Sequence, residues 1–310
     1  MSSKILCILR AGEGGIQKSW IPKVSQYADV AVSTFGTYQG DDLNVLARHH
    51  FNGSRMGGVH DFLLRNPGLI DAYTHFWLVE DDLYIPETAV LLIKNFAAVQ
   101  EFELFAPAVS GDSYSSHAIS VANRSFVFRL VNFVEQMSPV FSRRLLLKCL
   151  PHFNENYSGW GFEWLWDKYV RELGSFTAAL DCAAIYHTRE GGAGLLHKNM
   201  PPGTPSLQEQ LDTFMSRHGL QRSQFEFAAV ARGGGGRIVA GPEFFELSVR
   251  GYRYLAPMNI TAYKWCTTGG LSSLQNADGD ELAQARAFLS EVSKTKTFED
   301  FLGLVDQVGS

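Results

Sequence analysis

Apolar residues fall in short blocks along the chain, each closed by glycine, proline or acid. Lys4–Arg10 holds the run Ile5-Leu6-Cys7-Ile8-Leu9 and stops at Ala11-Gly12-Glu13-Gly14-Gly15, which predicts a buried strand and a glycine loop. Asp29–Phe35 is a second, β-branched block, closed by Gly36 and then Gly40-Asp41-Asp42. Met56, Val59, Phe62 and Leu63 recur at helical spacing and predict helix through most of Ser54–Tyr73, with a break at Asn66-Pro67-Gly68. His75-Phe76-Trp77-Leu78-Val79 is apolar on both faces, as a central strand of a parallel sheet reads, and it ends abruptly in Glu80-Asp81-Asp82. A helix from Pro86-Glu87 to about Gln100 and a strand over Leu104–Val109 follow.

This order of strand, loop, strand, helix, strand, acid turn, helix, strand is the rhythm of an α/β open sheet. Ligands of such sheets bind beyond the carboxyl ends of the strands. The glycine loop, Asp41-Asp42 and Glu80-Asp81-Asp82 all belong on that edge. Farther on, Phe126–Phe141 reads as a long stretch of β character and Ser142 to about Leu150 as helix. Ser158-Gly159-Trp160-Gly161 opens another helix, and Phe176–Tyr186 is the last clear strand, ending at His187. Gly191-Gly192-Ala193-Gly194 and Pro201-Pro202 mark a boundary near residue 200. Residues 201–310 then predict a mixed α/β extension. It has a helix around Leu207–His218, a Gly233–Gly236 linker, a β-like piece near Phe244–Tyr254, and helices over Glu281–Ala287 and Phe298–Val308.

Composition narrows the class. The 310 residues are 45% hydrophobic and 19% charged, enough for a sizeable core in one large domain or two modest ones. Acids outnumber bases 32 to 27, a net charge of −5, which argues against a nucleic-acid binder with its usual basic footprint. Cys7, Cys149, Cys182 and Cys266 form no CxxC pair, so neither a zinc framework nor a disulfide scaffold is expected. The Ile5–Leu9 run is shorter than a signal-peptide core of about 7–15 residues and far below a membrane span of about 20. These features predict a cytoplasmic protein with reduced thiols and no membrane span.

The acid cluster carries the first chemistry. Three carboxylates ending a buried strand repel one another unless a cation is present, and hard oxygen ligands suit Mg²⁺ or Mn²⁺. Strand alternation sets Glu80 and Asp82 on one side and Asp81 on the other. A solvated turn with a helix N-cap is the alternative reading. His187, at the end of a parallel strand, reaches the same edge, and imidazole with carboxylates suits Mn²⁺ better than Ca²⁺. On a helix beginning near Trp160, the residues Trp160, Glu163, Trp164 and Asp167 share a face. Indoles stack on apolar sugar faces, and carboxylates accept hydroxyls or protons; the alternative is a buried aromatic stripe beside two surface acids. The Arg10–Gly15 loop is neither a Walker A motif nor GxGxxG, so it reads equally as a loop reversal or as a cradle for a nucleotide. Arg55, early in its helix, is a diphosphate partner or a solvated charge.

Together these motifs resemble the GT-A glycosyltransferase fold. More narrowly, residues 4 to 195 resemble the domain-of-unknown-function family numbered seven hundred and seven, known from plants and bacteria and related to those enzymes. The similar stretches are Tyr38-Gln39-Gly40-Asp41, Phe76-Trp77-Leu78-Val79-Glu80-Asp81-Asp82-Leu83 and Ala106-Pro107-Ala108. The most specific is Val134-Glu135-Gln136-Met137-Ser138-Pro139-Val140-Phe141-Ser142-Arg143, followed by Trp160-Gly161-Phe162-Glu163 and Ile185-Tyr186-His187. Two positions depart from the family pattern: Glu80 and Glu163 stand where aspartate is usual.

The resemblance implies a GT-A-like, Rossmann-type open mixed sheet flanked by helices, over residues 1–200, with the mixed α/β extension over 201–310. It implies a metal-dependent glycosyltransferase that uses a nucleotide-sugar donor and a glycan or other hydroxyl acceptor. Glu80, Asp82 and His187 are the candidate ligands of Mn²⁺ or Mg²⁺, with Arg10, Gly12, Asp41, Arg55 and Asp81 on the donor nucleotide. Trp160, Trp164 and Glu135 are the candidate substrate contacts and Glu163 the catalytic base. The competing reading is a non-catalytic sugar-nucleotide or glycan binding module. A strand-end phosphatase is disfavoured because Leu83, not an acid, stands two residues after Asp81. The extension either covers the acceptor site or packs on another subunit, and Asn259-Ile260-Thr261 reads as an idle glycosylation sequon.

Overall fold

The structure is a computed structural model that describes residues 3–190, 200–233, 235–259, 262–267 and 279–308. The 191–194 glycine segment and two residues of the sequon lie outside the described residues. The strands are β1 (Ile5–Ala11), β2 (Asp29–Thr34), β3 (Ala47–His50), β4 (His75–Glu80), β5 (Leu83–Tyr84), β6 (Leu104–Val109), β7 (Phe126–Val131), β8 (Val140–Ser142), β9 (Thr177–His187), β10 (Glu226–Ala231) and β11 (Ile238–Ala240). The helices are α1 (Ile21–Val24), α2 (Arg55–Arg65), α3 (Pro67–Ala72), α4 (Glu87–Phe96), α5 (Arg143–Cys149), α6 (Phe162–Glu172), α7 (Leu207–His218), α8 (Pro242–Tyr252), α9 (Gly279–Val292) and α10 (Lys296–Val308).

One sheet runs through the molecule in the order β11-β10-β7-β9-β6-β8-β4-β1-β2-β3. Strands β3, β2, β1 and β4 are mutually parallel. Strand β8 lies antiparallel between β4 and β6, so β6 and its parallel neighbour β9 point the same way as β4. Antiparallel β7, β10 and β11 complete the sheet. The fold is an open mixed α/β sheet of Rossmann type flanked by helices, as the sequence rhythm predicts. The carboxyl ends of β1, β2, β4, β6 and β9 consequently share one edge.

Strand alternation feeds two cores. Cys7, Leu9, Trp77 and Val79 point to a layer containing α1, α4, α9 and α10. Leu6, Ile8, Phe76 and Leu78 point to a layer containing α2, α5 and α6. Local chemistry sets the helix ends. Ser54 accepts from Gly57 N at 2.9 Å to begin α2, and Ser142 accepts from Leu145 N at 3.1 Å to begin α5. Pro67, lacking an N–H, separates α2 from α3. A Ser206–Glu209 capping box opens α7 and left-handed Gly219 closes it. The cysteines are free thiols, and no helix among the described residues is long and apolar enough to cross a membrane.

Three expectations change. Phe126–Phe141 is not one β stretch: β7 and β8 are separated by an irregular segment that serves the site described below. Phe176–Tyr186 does not supply the last strand, because β10 and β11 follow, with Gly233, Gly235 and Gly236 of the glycine run in the connection between them. Phe244–Tyr254 is helical, since Pro242 starts α8 and the aromatic Phe244 packs flat on Phe126 at 5.0 Å. Residues beyond 200 extend the same sheet, and Leu289, Phe298 and Phe301 join the same core as β1 and β4.

The extension is also held by charge. Arg129 on β7 is fully buried, with Nε 3.0 Å from Asp181 Oδ2 on β9 and an ion pair to Glu226 on β10. Its NH2 also donates to the Val121 carbonyl at 2.8 Å. Burial alone pushes the guanidinium down, but Asp181 and Glu226 outweigh it and keep it charged. Removing the cation strands two buried carboxyls, and such losses are worth about 3–5 kcal/mol. Arg129→Leu is therefore expected to destabilise the chain by that order in urea unfolding; a loss below about 1 kcal/mol would show the network to be dispensable.

Candidate functional site

Strand β4 ends at Glu80, and the chain turns through Asp81 and Asp82 into the two-residue strand β5. Strand β5 pairs antiparallel with the end of β9, setting Leu83 opposite His187. The Asp82 carbonyl accepts from Thr188 N at 3.0 Å and Thr188 Oγ1 at 2.7 Å, which locks the junction. His187 Nε2 consequently stands 3.5 Å from Asp82 Oδ2. One donor atom from each of Glu80, Asp82 and His187 falls within 4.8 Å of the others. Asp82 Oδ1 is buried with no hydrogen-bond partner. Burial pushes the His187 pKa down, but the adjacent Asp82 carboxylate outweighs it and raises it overall.

Asp81 turns the other way, as alternation predicts. Its Oδ2 accepts from Gly12 N at 2.6 Å and its Oδ1 lies 3.6 Å from Arg189 NH1. Burial pushes the Asp81 carboxyl up to about 6. Gly12 therefore serves the site from behind: its N–H is engaged by Asp81.

These groups open into a cleft of about 860 Å³. Seven acids line it (Glu13, Glu80, Asp81, Asp82, Glu135, Glu163 and Glu190) against three arginines, Arg10, Arg55 and Arg189. Arg10 is already committed, donating to the carbonyls of Ser33, Thr34, Phe51 and Gly53. Arg55 is not a solvated charge. It is buried, NH1 is 2.8 Å from Glu80 Oε1, and NH2 donates to the Gln136 carbonyl. The described wall thus carries an excess of carboxyl groups over free cations, the condition in which a divalent ion is stabilising.

The irregular segment between β7 and β8 forms the cleft floor. Gln136 Nε2 donates to Glu163 Oε1 at 2.8 Å and to the Gly159 carbonyl at 2.7 Å. Glu163 Oε2 accepts from Gly161 N at 3.1 Å. Burial raises the Glu163 pKa, while these donors favour its charged form. Glu135 is half-buried, its Oε1 lacks a hydrogen-bond partner, and desolvation pushes its carboxyl up to about 7.

The expected four-residue helix face is corrected. Helix α6 begins at Phe162, after Gly161 takes the left-handed φ of 102°, so Trp160 lies outside the helix on the cleft rim, 40% exposed. Trp164 remains in the wall, donating Nε1 to the Ser223 carbonyl at 2.6 Å and packing on Phe133 at 5.0 Å. Asp167 is not in the cleft; it accepts from Thr177 Oγ1 at 3.1 Å. Asp41 lies in an exposed turn and does not line the cleft.

Sequence reasoning missed Tyr114 to His117, Gln136, Arg189, Leu207 and Leu211, all in the cleft wall. Gln136 lies within the Val134–Arg143 stretch and Arg189 two residues past His187, so proximity was an available signal for both. The leucines come from α7, whose Gln210 Oε1 accepts from Tyr157 N and Ser158 N, each at 2.9 Å, and so props the loop before α6.

The sequence matches no family model and no curated protein. Among solved structures, the chain is similar to 4-diphosphocytidyl-2C-methyl-D-erythritolsynthase from Anaerococcus prevotii DSM 20548. That similarity has 10% identity and a TM-score of 0.35, over 55% of this chain and 83% of that one. A likeness at that level assigns neither substrate nor reaction.

A Cβ on Gly161 would fall 2.8 Å from Phe214 Cδ1, on α7, and its φ is left-handed. Gly174, with φ 73°, has open space around it. Both alanine variants carry the backbone strain, but only Gly161→Ala also overpacks. It is expected to lose about 1–3 kcal/mol more than Gly174→Ala in urea unfolding; equal losses would show that α7 yields freely.

Proposed function

We propose that the protein is a metal-dependent glycosyltransferase that moves a sugar from a nucleotide-sugar donor to a hydroxyl acceptor. The observation that carries this reading is the convergence of Glu80, Asp82 and His187, with Asp82 Oδ1 buried and unpartnered, in a cleft that also holds Glu163. The mixed imidazole–carboxylate set fits Mn²⁺ or Mg²⁺. Bound there, such an ion supplies charge neutralisation to a departing nucleoside diphosphate. The resemblance to GT-A glycosyltransferases supports the same reading.

The chain's own residues then divide the work. Arg55 holds Glu80 in place, and Asp81 ties the acid turn to the glycine loop that borders the donor. Trp160 and Trp164 offer indole surface to a sugar ring. Glu135, whose carboxyl burial pushes up to about 7, hydrogen-bonds a substrate oxygen. Glu163, fixed by Gln136 and Gly161, takes the acceptor proton if the transfer inverts configuration and binds a hydroxyl if it retains it.

Calorimetry of nucleoside diphosphates and donor hydrolysis, each with Mn²⁺ and with EDTA, test the reading. Binding and hydrolysis are expected to require the metal and to collapse in Asp82→Asn. Equal behaviour of parent and variant, with and without EDTA, overturns the metal role. Glu163→Gln is expected to keep diphosphate binding and lose about 10²–10⁴ in transfer rate, the usual contribution of a general base. Diphosphate binding without transfer to any acceptor makes the protein a binding module instead.

A further inference from the structure

A second cluster of metal-ligating side chains lies outside the cleft, where α7 meets the turn after α5. His152 Nδ1 is 2.5 Å from Glu155 Oε1, and His218 Nε2 is 2.8 Å from Glu155 Oε2. The three donor atoms lie within 4.8 Å of one another, on side chains that are all partly buried. The imidazole rings stand perpendicular with centroids 5.1 Å apart, so they are not stacked on each other. Ligands about 2.0–2.1 Å from a tetrahedral zinc ion sit roughly 3.3 Å apart, so the set reaches that geometry with side-chain movements of about 1 Å.

The surroundings are those of a ligand set. Tyr169 Oη lies 2.8 Å from His152 Nε2, so the phenol holds the ring and leaves Nδ1 facing the cluster. Lys168 Nζ holds the His218 carbonyl at 3.1 Å, which fixes the last turn of α7. One group opposes a cation: Arg217 NH1, 3.0 Å from Glu155 Oε2. Glu155 has two oxygens, so it can give Oε1 to an ion and keep Oε2 on Arg217.

We infer that His152, Glu155 and His218 bind a zinc-type transition-metal ion that fastens α7 to the body of the fold. The three ligands come from a turn following α5 and from the end of α7, segments more than fifty residues apart in the chain. Two histidines and one carboxylate leave a fourth position for water. The same helix supplies Leu207, Leu211 and Gln210 to the cleft, so the ion would steady the wall at a distance from the cleft. This site shares no residue with Glu80, Asp82 and His187, and it stands or falls independently of the glycosyltransferase reading.

The test is titration of the EDTA-treated full chain with Co²⁺, a spectroscopic stand-in for Zn²⁺, in an Asp82→Asn background that disables the cleft ligands. The expected result is the intense visible absorption of tetrahedral Co²⁺, saturating at one ion per chain and displaced by Zn²⁺, which also raises the melting temperature by a few degrees. Glu155→Gln and His218→Ala should weaken binding at least ten-fold. His218→Cys should restore it with a thiolate charge-transfer band, separating loss of a ligand from loss of fold. Arg217→Gln should tighten binding several-fold by removing the competing charge. Absence of bound Co²⁺ in the Asp82→Asn chain, or binding indifferent to His218 and Glu155, overturns the proposal and leaves the cluster a hydrogen-bonded brace.

Discussion

Glu80, Asp81 and Asp82 follow a strand buried on both faces, and the surrounding structure is arranged about their mutual repulsion. Each acid has a different means of relief. Glu80 takes Arg55, which is itself held by the Gln136 carbonyl. Asp81 takes the Gly12 N–H and Arg189. Asp82 is left with His187 at 3.5 Å and an unpartnered oxygen, so its balance is the incomplete one. The short β5–β9 pairing decides this outcome, because shifting it by one residue would turn His187 to the opposite face.

The parallel half of the fold was legible because its signals are local. His75–Val79 could be assigned as a central strand from its unbroken apolar run, and the α2–α3 break from Pro67. The alternation that separates Asp81 from Glu80 and Asp82 follows from strand geometry alone. Glu135 was flagged only by resemblance and its neighbour Gln136 was missed, since the segment that carries them has no periodicity. The roles of Arg10, Arg55 and Asp41 were not legible. An arginine donating to backbone carbonyls and one facing a diphosphate read alike until distant loops are in place.

The region past residue 200 was opaque for a related reason. Its strand β10 pairs with β7, whose other neighbour β9 comes from the middle of the chain. Its helices bury Phe298 and Phe301 against Phe128 and Phe96. None of those partners is adjacent in sequence. Helices α7, α9 and α10 were legible as helices, but not where they pack, and α7 alone of the described helices past 200 reaches the cleft.

The placement of Arg129 bears on how the chain reaches its final form. One of its carboxylate partners, Asp181, precedes the boundary near residue 200, and the other, Glu226, follows it. A nascent chain that has emerged only to residue 200 holds the motif-bearing half complete in sequence. It still leaves the β7 edge unpaired and the Phe96–Phe128 surface uncovered. Pairing of that edge therefore waits for β10, and covering of that surface for α10. Until then the open strand is the part of the molecule most exposed to misassociation.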